Sequence, residues 1–281
     1  MMNRPEPKHL VVGTMSSGKS TFINSLIGYD LLPSRNEACS AKIITYSASA
    51  RRKAFMLEKN NDGKFHYRKK VDLALLSKWN VDREIRHISI KGPLSTIKKK
   101  STKFSITDTP GPNNSMDKNH RGVMENALDT IPFESIFYLL NASQLGTEDD
   151  QQLLSILKHK RIEKSIIFVV NKADVIDSVE EENLTLFSTK VEKYLVQNGF
   201  ESPRIYFVSS LAALLASKRM QGANLTIKES ILFKKLSFAL EEDLSINNVN
   251  TESGSDSFTE LSMLKDPLWE YSGISKILKL F

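Results

Sequence analysis

The segment Gly13-Thr14-Met15-Ser16-Ser17-Gly18-Lys19-Ser20 constrains this chain more than any other. It fits the spacing GxxxxGK[ST], follows the apolar run Leu10-Val11-Val12 and precedes Thr21-Phe22-Ile23-Asn24, which reads as the opening of a helix. Glycines between a strand and a helix let backbone N–H groups turn inward around an anion, and the helix N-terminus adds its positive end. A Gly/Ser-rich turn is the competing reading, but it would not require the flanking strand and helix. The spacing predicts a phosphate site in which Lys19 meets the β- and γ-phosphates and the Ser20 hydroxyl binds Mg²⁺. Gly13, Thr14, Met15, Ser16, Ser17, Gly18 and Thr21 are expected to complete the nucleotide-binding cradle.

A loop of this kind belongs in an α/β fold, and the rest of the sequence agrees. Strands are predicted at His9–Thr14, Lys42–Ser49, His87–Lys91, Phe104–Thr107, Ile136–Leu140, Ser165–Val170 and Ile205–Val208. Most are near-continuous apolar runs, as in strands covered on both faces. Thr21–Ile27, Gln151–Leu157, Leu184–Val196 and Ser230–Leu240 space apolar residues three and four apart, the pattern of crossover helices on a mainly parallel sheet. Residues 51–86 interrupt two expected core strands with a helical pattern of their own (Val71, Leu73, Leu75, Leu76, Trp79) and read as an insertion at the sheet edge. Residues 245–259 lack apolar periodicity and read as a mobile loop. No linker or repeat divides the 281 residues, so a single domain is expected.

Three further segments carry chemistry. Asp108-Thr109-Pro110-Gly111 closes the strand Phe104–Thr107, where Asp108 would hold Mg²⁺ through a water and the Gly111 N–H would sense the γ-phosphate; alone, the tetrapeptide could be an ordinary turn. Asn171-Lys172-Ala173-Asp174 follows Ile166-Ile167-Phe168-Val169-Val170. A carboxylate at Asp174 can accept from both the ring N–H and the exocyclic amine of guanine, a pair adenine does not offer, so the expected nucleotide is GTP. Ser209-Ser210-Leu211 follows Ile205–Val208, where a backbone N–H could meet the guanine carbonyl oxygen or the serines could simply cap a helix. Ser40, in the polar stretch Leu32–Ser40, is the candidate hydroxyl that closes over Mg²⁺ and the γ-phosphate. Its neighbour Cys39 reads as a packing residue.

Composition excludes several classes. Hydrophobic residues at 40% and charged residues at 26% indicate a globular chain. One cysteine cannot form a disulfide within the chain, and MMNRPEPKH lacks a signal-peptide pattern, so a cytoplasmic location is expected. No apolar run approaches the roughly 18 residues of a membrane span. The net charge of +6 includes clusters at Arg51-Arg52-Lys53, Arg68-Lys69-Lys70 and Lys98-Lys99-Lys100, which read as solvated surface; no specific nucleic-acid partner is predicted.

Taken together, GTMSSGKS with Thr21, LLPSRNEACSAK, DTPGPNNS, NKAD and the closing Tyr271-Ser272-Gly273-Ile274 resemble the GTPase domain of the dynamin superfamily, in particular bacterial dynamin-like proteins. The similarity runs from about His9 to the C-terminus. It implies a P-loop GTPase fold, with a mainly parallel sheet, helices on both faces and the insertion between switch I and the DxxG strand. It also implies GTP hydrolysis stimulated by pairing of two GTPase domains across their nucleotide faces, and peripheral membrane remodelling through helical stalk regions. Ser16 falls on the serine that in dynamins helps position a charge-compensating monovalent cation. Met15 stands where dynamins carry a catalytic glutamine, and Ser40 replaces the usual switch threonine. Pro112 occupies the position after the DxxG glycine where small GTPases often place a water-orienting glutamine.

The expected function is hydrolysis of GTP·Mg²⁺ to GDP and phosphate, with Ser16, Lys19, Ser40 and Gly111 as catalytic residues and Ser20, Ser40 and Asp108 around the metal. A nucleotide-dependent binding switch with negligible turnover is the alternative from another class; a GTPase acting on nucleic acid is a third. The chain ends near the last helix expected of such a domain, Pro267–Phe281, with the stalk expected to be missing or supplied separately. Its apolar residues Ile274, Ile277, Leu278, Leu280 and Phe281 read either as a face for a partner or as a core-packed terminal helix.

Overall fold

Strand β1 (Lys8–Gly13) is buried along nearly its whole length and occupies the interior of a nine-stranded sheet. A computed structural model describes residues 6–32, 42–70, 72–97, 101–111, 119–176, 184–242 and 266–281. The strands are β2 (Ile43–Ser49), β3 (Phe55–Lys59), β4 (His66–Arg68), β5 (His87–Pro93), β6 (Lys103–Asp108), β7 (Ser135–Asn141), β8 (Ile166–Asn171) and β9 (Ile205–Val208). Their order across the sheet is β4-β3-β5-β2-β6-β1-β7-β8-β9. The half from β6 to β9 is parallel throughout, which gathers the C-terminal ends of β1, β6, β7, β8 and β9 along one rim.

The helices are α1 (Lys19–Ile27), α2 (Leu73–Val81), α3 (Asn119–Thr130), α4 (Glu148–His159), α5 (Leu184–Gln197), α6 (Ser210–Met220), α7 (Ile227–Glu242), α8 (Pro267–Tyr271) and α9 (Ile274–Leu278). Helix α1 packs on α6, and α6 packs on α7 and α8. The crossover helices bury one stripe each: Leu153, Leu154 and Leu157 on α4, and Leu184, Phe187, Val191 and Leu195 on α5.

Beyond β6 the sheet changes character. Strand β2 runs antiparallel to β6 but parallel to β5, and burial alternates along β2 and β5, so that Tyr46, Ala48, Ile88 and Ile90 face the core while Thr45, Ser47, Ser89 and Lys91 face outward. All seven strands read from the sequence are present. The insertion adds two more, β3 and β4, joined through Asn60-Asn61-Asp62-Gly63 and forming the sheet's outer edge. Their sequence hides them because both are short, β4 buries none of its residues and β3 ends on the charged pair Glu58-Lys59. Helix α2 is capped by Asp72, which accepts from the Leu75 N–H, and buries Leu76 and Trp79. Val71 and residues 245–259 lie outside the described residues.

The terminal segment departs from the single helix expected at Pro267–Phe281. Gly273, at φ 76°, breaks it into α8 and α9. Its apolar residues are core: Trp269, Ile274, Ile277 and Leu278 are buried, and Phe281 stacks on Phe104 at 4.0 Å between centroids and meets His9 edge-on at 4.7 Å. The reading as a core-packed terminus therefore holds over the reading as a partner face.

Candidate nucleotide site

The phosphate loop leaves β1 at Gly13 and enters α1 through Gly18. Gly18 is in the left-handed region at φ 89°, and a Cβ there would lie 2.3 Å from Asn171 Nδ2, so both the turn and the close approach require glycine. Ser16 adopts φ 62° at the exposed tip beside Met15. Ser17 is buried, and its hydroxyl donates to the Thr14 carbonyl at 2.9 Å, fixing the base of the loop. The Lys19 ammonium lies along the loop, donating to the carbonyls of Gly13 at 2.9 Å and Thr14 at 2.8 Å. Burial lowers its pKa against the opposing pull of Asp108.

The end of β6 is brought beside this loop by its pairing with β1, with Val11 opposite Asp108. The Thr109 hydroxyl donates to the Val11 carbonyl at 2.7 Å and locks the turn in place. Asp108 then accepts from the Ser20 hydroxyl at 2.7 Å through Oδ2, while its Oδ1 is buried without a protein partner. Burial raises the Asp108 pKa, offset in part by Lys19 and Ser20. This pair fits a magnesium ion: a hydroxyl and a carboxylate are hard oxygen donors, one carboxylate oxygen is unsatisfied, and Mg²⁺ in phosphate sites takes few protein ligands beside substrate oxygens and water. Among the described residues no group of three or more His, Cys, Asp or Glu side chains forms a separate metal cage. Gly111 follows at the mouth, where a Cβ would lie 3.0 Å from Lys19 Nζ and 3.1 Å from the Met15 N.

Asn171, at the end of β8, ties three loops together. Its amide donates to the Ser17 carbonyl at 2.8 Å, and its Oδ1 accepts from the Ser210 N–H at 3.1 Å. Lys172 takes the left-handed conformation at φ 62° and turns the chain into a short 3-10 turn carrying Asp174, which is partly exposed on the same rim. Thr21 is partly buried in the first turn of α1.

The two serines after β9 have amides committed within the protein. The Ser209 N–H donates to the Ser272 carbonyl at 2.8 Å and the Ser210 N–H to Asn171, while the Ser209 hydroxyl caps α6 by accepting from Ala212. Neither serine offers a free backbone N–H to a base, and the helix-cap reading describes Ser209. The Ser210 hydroxyl is buried without a protein partner. Ser40, Cys39 and Pro112 lie outside the described residues.

Asn24 carries a role that the motifs do not mark. On the buried face of α1, its Oδ1 accepts from the N–H groups of Leu31 at 3.1 Å and Leu32 at 2.9 Å, and its Nδ2 donates to the Leu32 carbonyl at 2.9 Å. It thus clamps the chain where it leaves α1 towards residues 33–41. The one sequence signal is a polar side chain amid Phe22, Ile23, Leu26 and Ile27.

A mainly parallel α/β sheet with a phosphate loop after an interior strand, a carboxylate at the end of the neighbouring strand and an NKxD segment on the same rim defines the P-loop GTPase class of fold. The chain belongs to the dynamin family, which its residues 10–173 match. It is 27% identical over 237 residues to a bacterial dynamin-like protein of Nostoc punctiforme, covering 73% of this chain and 32% of that protein. It is likewise 27% identical over 192 residues to an uncharacterized protein in the xynA 3' region of a Caldicellulosiruptor species, covering 68% of this chain and 46% of the relative. The fold resembles that of an oligomerised bacterial dynamin pair implicated in long-range membrane sensing and tethering, at 19% identity and a TM-score of 0.54, over 87% of this chain and 47% of the other. The chain thus spans from 32% to 47% of the length of these relatives.

Proposed function

We propose that this chain binds GTP with Mg²⁺ along the rim formed by the loops after β1, β6, β8 and β9, and hydrolyses it to GDP and phosphate. The observation that carries this reading is the Asn171 amide, which braces the Asn171–Asp174 segment directly against the loop between β1 and α1. Lys19 would leave the Gly13 and Thr14 carbonyls for the β- and γ-phosphate oxygens, while loop N–H groups from Gly13 to Thr21 hold the remaining oxygens. Ser20 directly, and Asp108 through water, would hold the magnesium ion, with Ser40 closing from the switch segment; the ion supplies neutralisation of charge developing on the phosphates. Asp174 would read guanine, Lys172 would line the base pocket, and Ser16 would carry a monovalent cation at the loop tip. Of the two residues after β9, Ser210 contributes its unpartnered hydroxyl and Ser209 holds the local backbone.

Two side chains that commonly orient the attacking water are replaced, by Met15 and Pro112, so water placement falls to the Gly111 turn, the switch around Ser40 and a second copy of the domain. Support for that second copy comes from the exposed apolar side chains of Met15 on the phosphate loop, Val175 on the 3-10 turn after β8 and Leu211 in the first turn of α6. The related bacterial dynamin pair is oligomerised and tethers membranes, and we extend a cytoplasmic, peripheral membrane role to this chain. Among the described residues no helix is long and apolar enough to cross a membrane.

Replacing Asp174 tests the assignment of the base. Asp174→Asn presents an amide donor where guanine offers donors, and xanthine supplies the matching carbonyl. Competition against a fluorescent GTP analogue is expected to show weaker guanine and stronger xanthine binding. An unchanged preference would remove Asp174 from the site. A binding switch without turnover would show the same base preference but no phosphate release.

A further inference from the structure

The charge of the chain is concentrated in one segment. Residues 51–86 hold eleven Lys and Arg against five Asp and Glu, a net +6, which equals the net charge of all 281 residues; the remainder carries 28 of each sign. The fold sets this segment at the outer edge of the sheet as β3, β4 and α2. Four of its five carboxylates are engaged: Glu58 is buried and accepts from the Gly63 N–H at 2.8 Å, Asp62 accepts from the Lys64 N–H at 2.9 Å, Asp82 accepts from the Glu84 N–H at 3.0 Å, and Asp72 is held by Arg68 at 2.8 Å. Lys53, Lys64, Lys69, Lys70 and Lys78 are exposed.

Large apolar side chains are exposed among them. Phe65 is 40% exposed, Tyr67 63%, Leu73 54% and Val81 76%. Strand alternation separates Tyr67 from His66 and Arg68, which turn to α2, where His66 meets Trp79 edge-on and Arg68 holds Asp72. Lysines on an edge strand are a common defence against aggregation, but that role calls for no exposed aromatic or aliphatic side chains. Rings at headgroup depth, with flanking lysines whose stems lie along apolar surface and whose ammonium groups meet phosphates, suit an anionic bilayer. Single-stranded nucleic acid suits the surface less well, because base stacking needs open ring faces and Lys91 Nζ sits over the Phe65 ring at 4.4 Å.

We propose that residues 51–86 form a docking surface for an anionic lipid bilayer, with Phe65 and Tyr67 entering the headgroup layer and Lys64, Lys69 and Lys70 pairing with lipid phosphates. The surface uses no residue of the nucleotide site, so it stands or falls independently of GTP binding. The test is cosedimentation of the full chain with phosphatidylcholine vesicles that contain about 30% phosphatidylglycerol, beside pure phosphatidylcholine. Binding is expected to the anionic vesicles alone and to fall as salt rises from about 50 to about 300 mM. The double variant Lys69→Glu/Lys70→Glu and, separately, Tyr67→Ser are each expected to weaken it about tenfold or more, with thermal unfolding unchanged. Equal binding to neutral vesicles, wild-type partition by both variants, or tighter retention of single-stranded RNA than of anionic vesicles would overturn the proposal.

Discussion

Asn24 and Asp108 are both buried polar residues, and they differ in how completely their groups are satisfied. Asn24 has its Oδ1 and Nδ2 both bonded to the Leu31–Leu32 backbone. Asn24→Ala would strand two buried N–H groups, and urea unfolding is expected to record a loss of about 2 to 4 kcal/mol; wild-type stability would contradict the clamp. Asp108 instead keeps Oδ1 unpartnered beside the Ser20 hydroxyl, a costly arrangement unless a cation completes it. Ser20→Ala removes one of the two oxygen donors, so GTP affinity is expected to lose most of its dependence on magnesium. Isothermal titration with and without Mg²⁺ measures this, and a magnesium dependence equal to wild type would remove Ser20 from the metal site.

Among the elements, β1 joins the site to the terminal segment. At its start His9 is buried, shares a 2.7 Å hydrogen bond with the Ser135 hydroxyl through Nδ1, leaves Nε2 unpartnered and packs against Phe281. Burial lowers its pKa from 6.5 to about 4. The unfolded chain therefore takes up the proton first as pH falls. Stability from this group is complete above about 6.5 and lost progressively towards pH 4, by on the order of 3 kcal/mol. Urea unfolding between pH 7 and 4 should show that slope, and His9→Asn should flatten it; equal slopes would clear His9. Most strands were legible because burial on both faces leaves an apolar run, as in Ile166–Val170. Strands β3 and β4 were not, since β4 at the edge buries no residue and β3 beside it is short and ends on the charged pair Glu58-Lys59. The break at Gly273 was equally hidden, because the apolar spacing continues across it and only the left-handed turn interrupts the helix. The phosphate loop was legible because its function resides in contiguous backbone. The partners of the Ser209 and Ser210 amides were not, because Ser272 and Asn171 reach them only through the fold.

For the whole molecule, the sheet separates two surfaces. One rim gathers the phosphate loop, Asp108, Asn171 and Asp174, and the far edge carries the net charge in β3, β4 and α2. The exposed Met15, Val175 and Leu211 lie on the nucleotide rim, so pairing two domains there would leave both charged edges free. On the function proposed above, this rim hydrolyses GTP with help from a second copy. Phosphate release per molecule, from GTP and from ATP with Mg²⁺, over about a hundredfold range of protein concentration tests it most directly. Release from GTP alone is expected, with a rate per molecule that rises with concentration. No release above background at any concentration, or equal release from ATP, would contradict it.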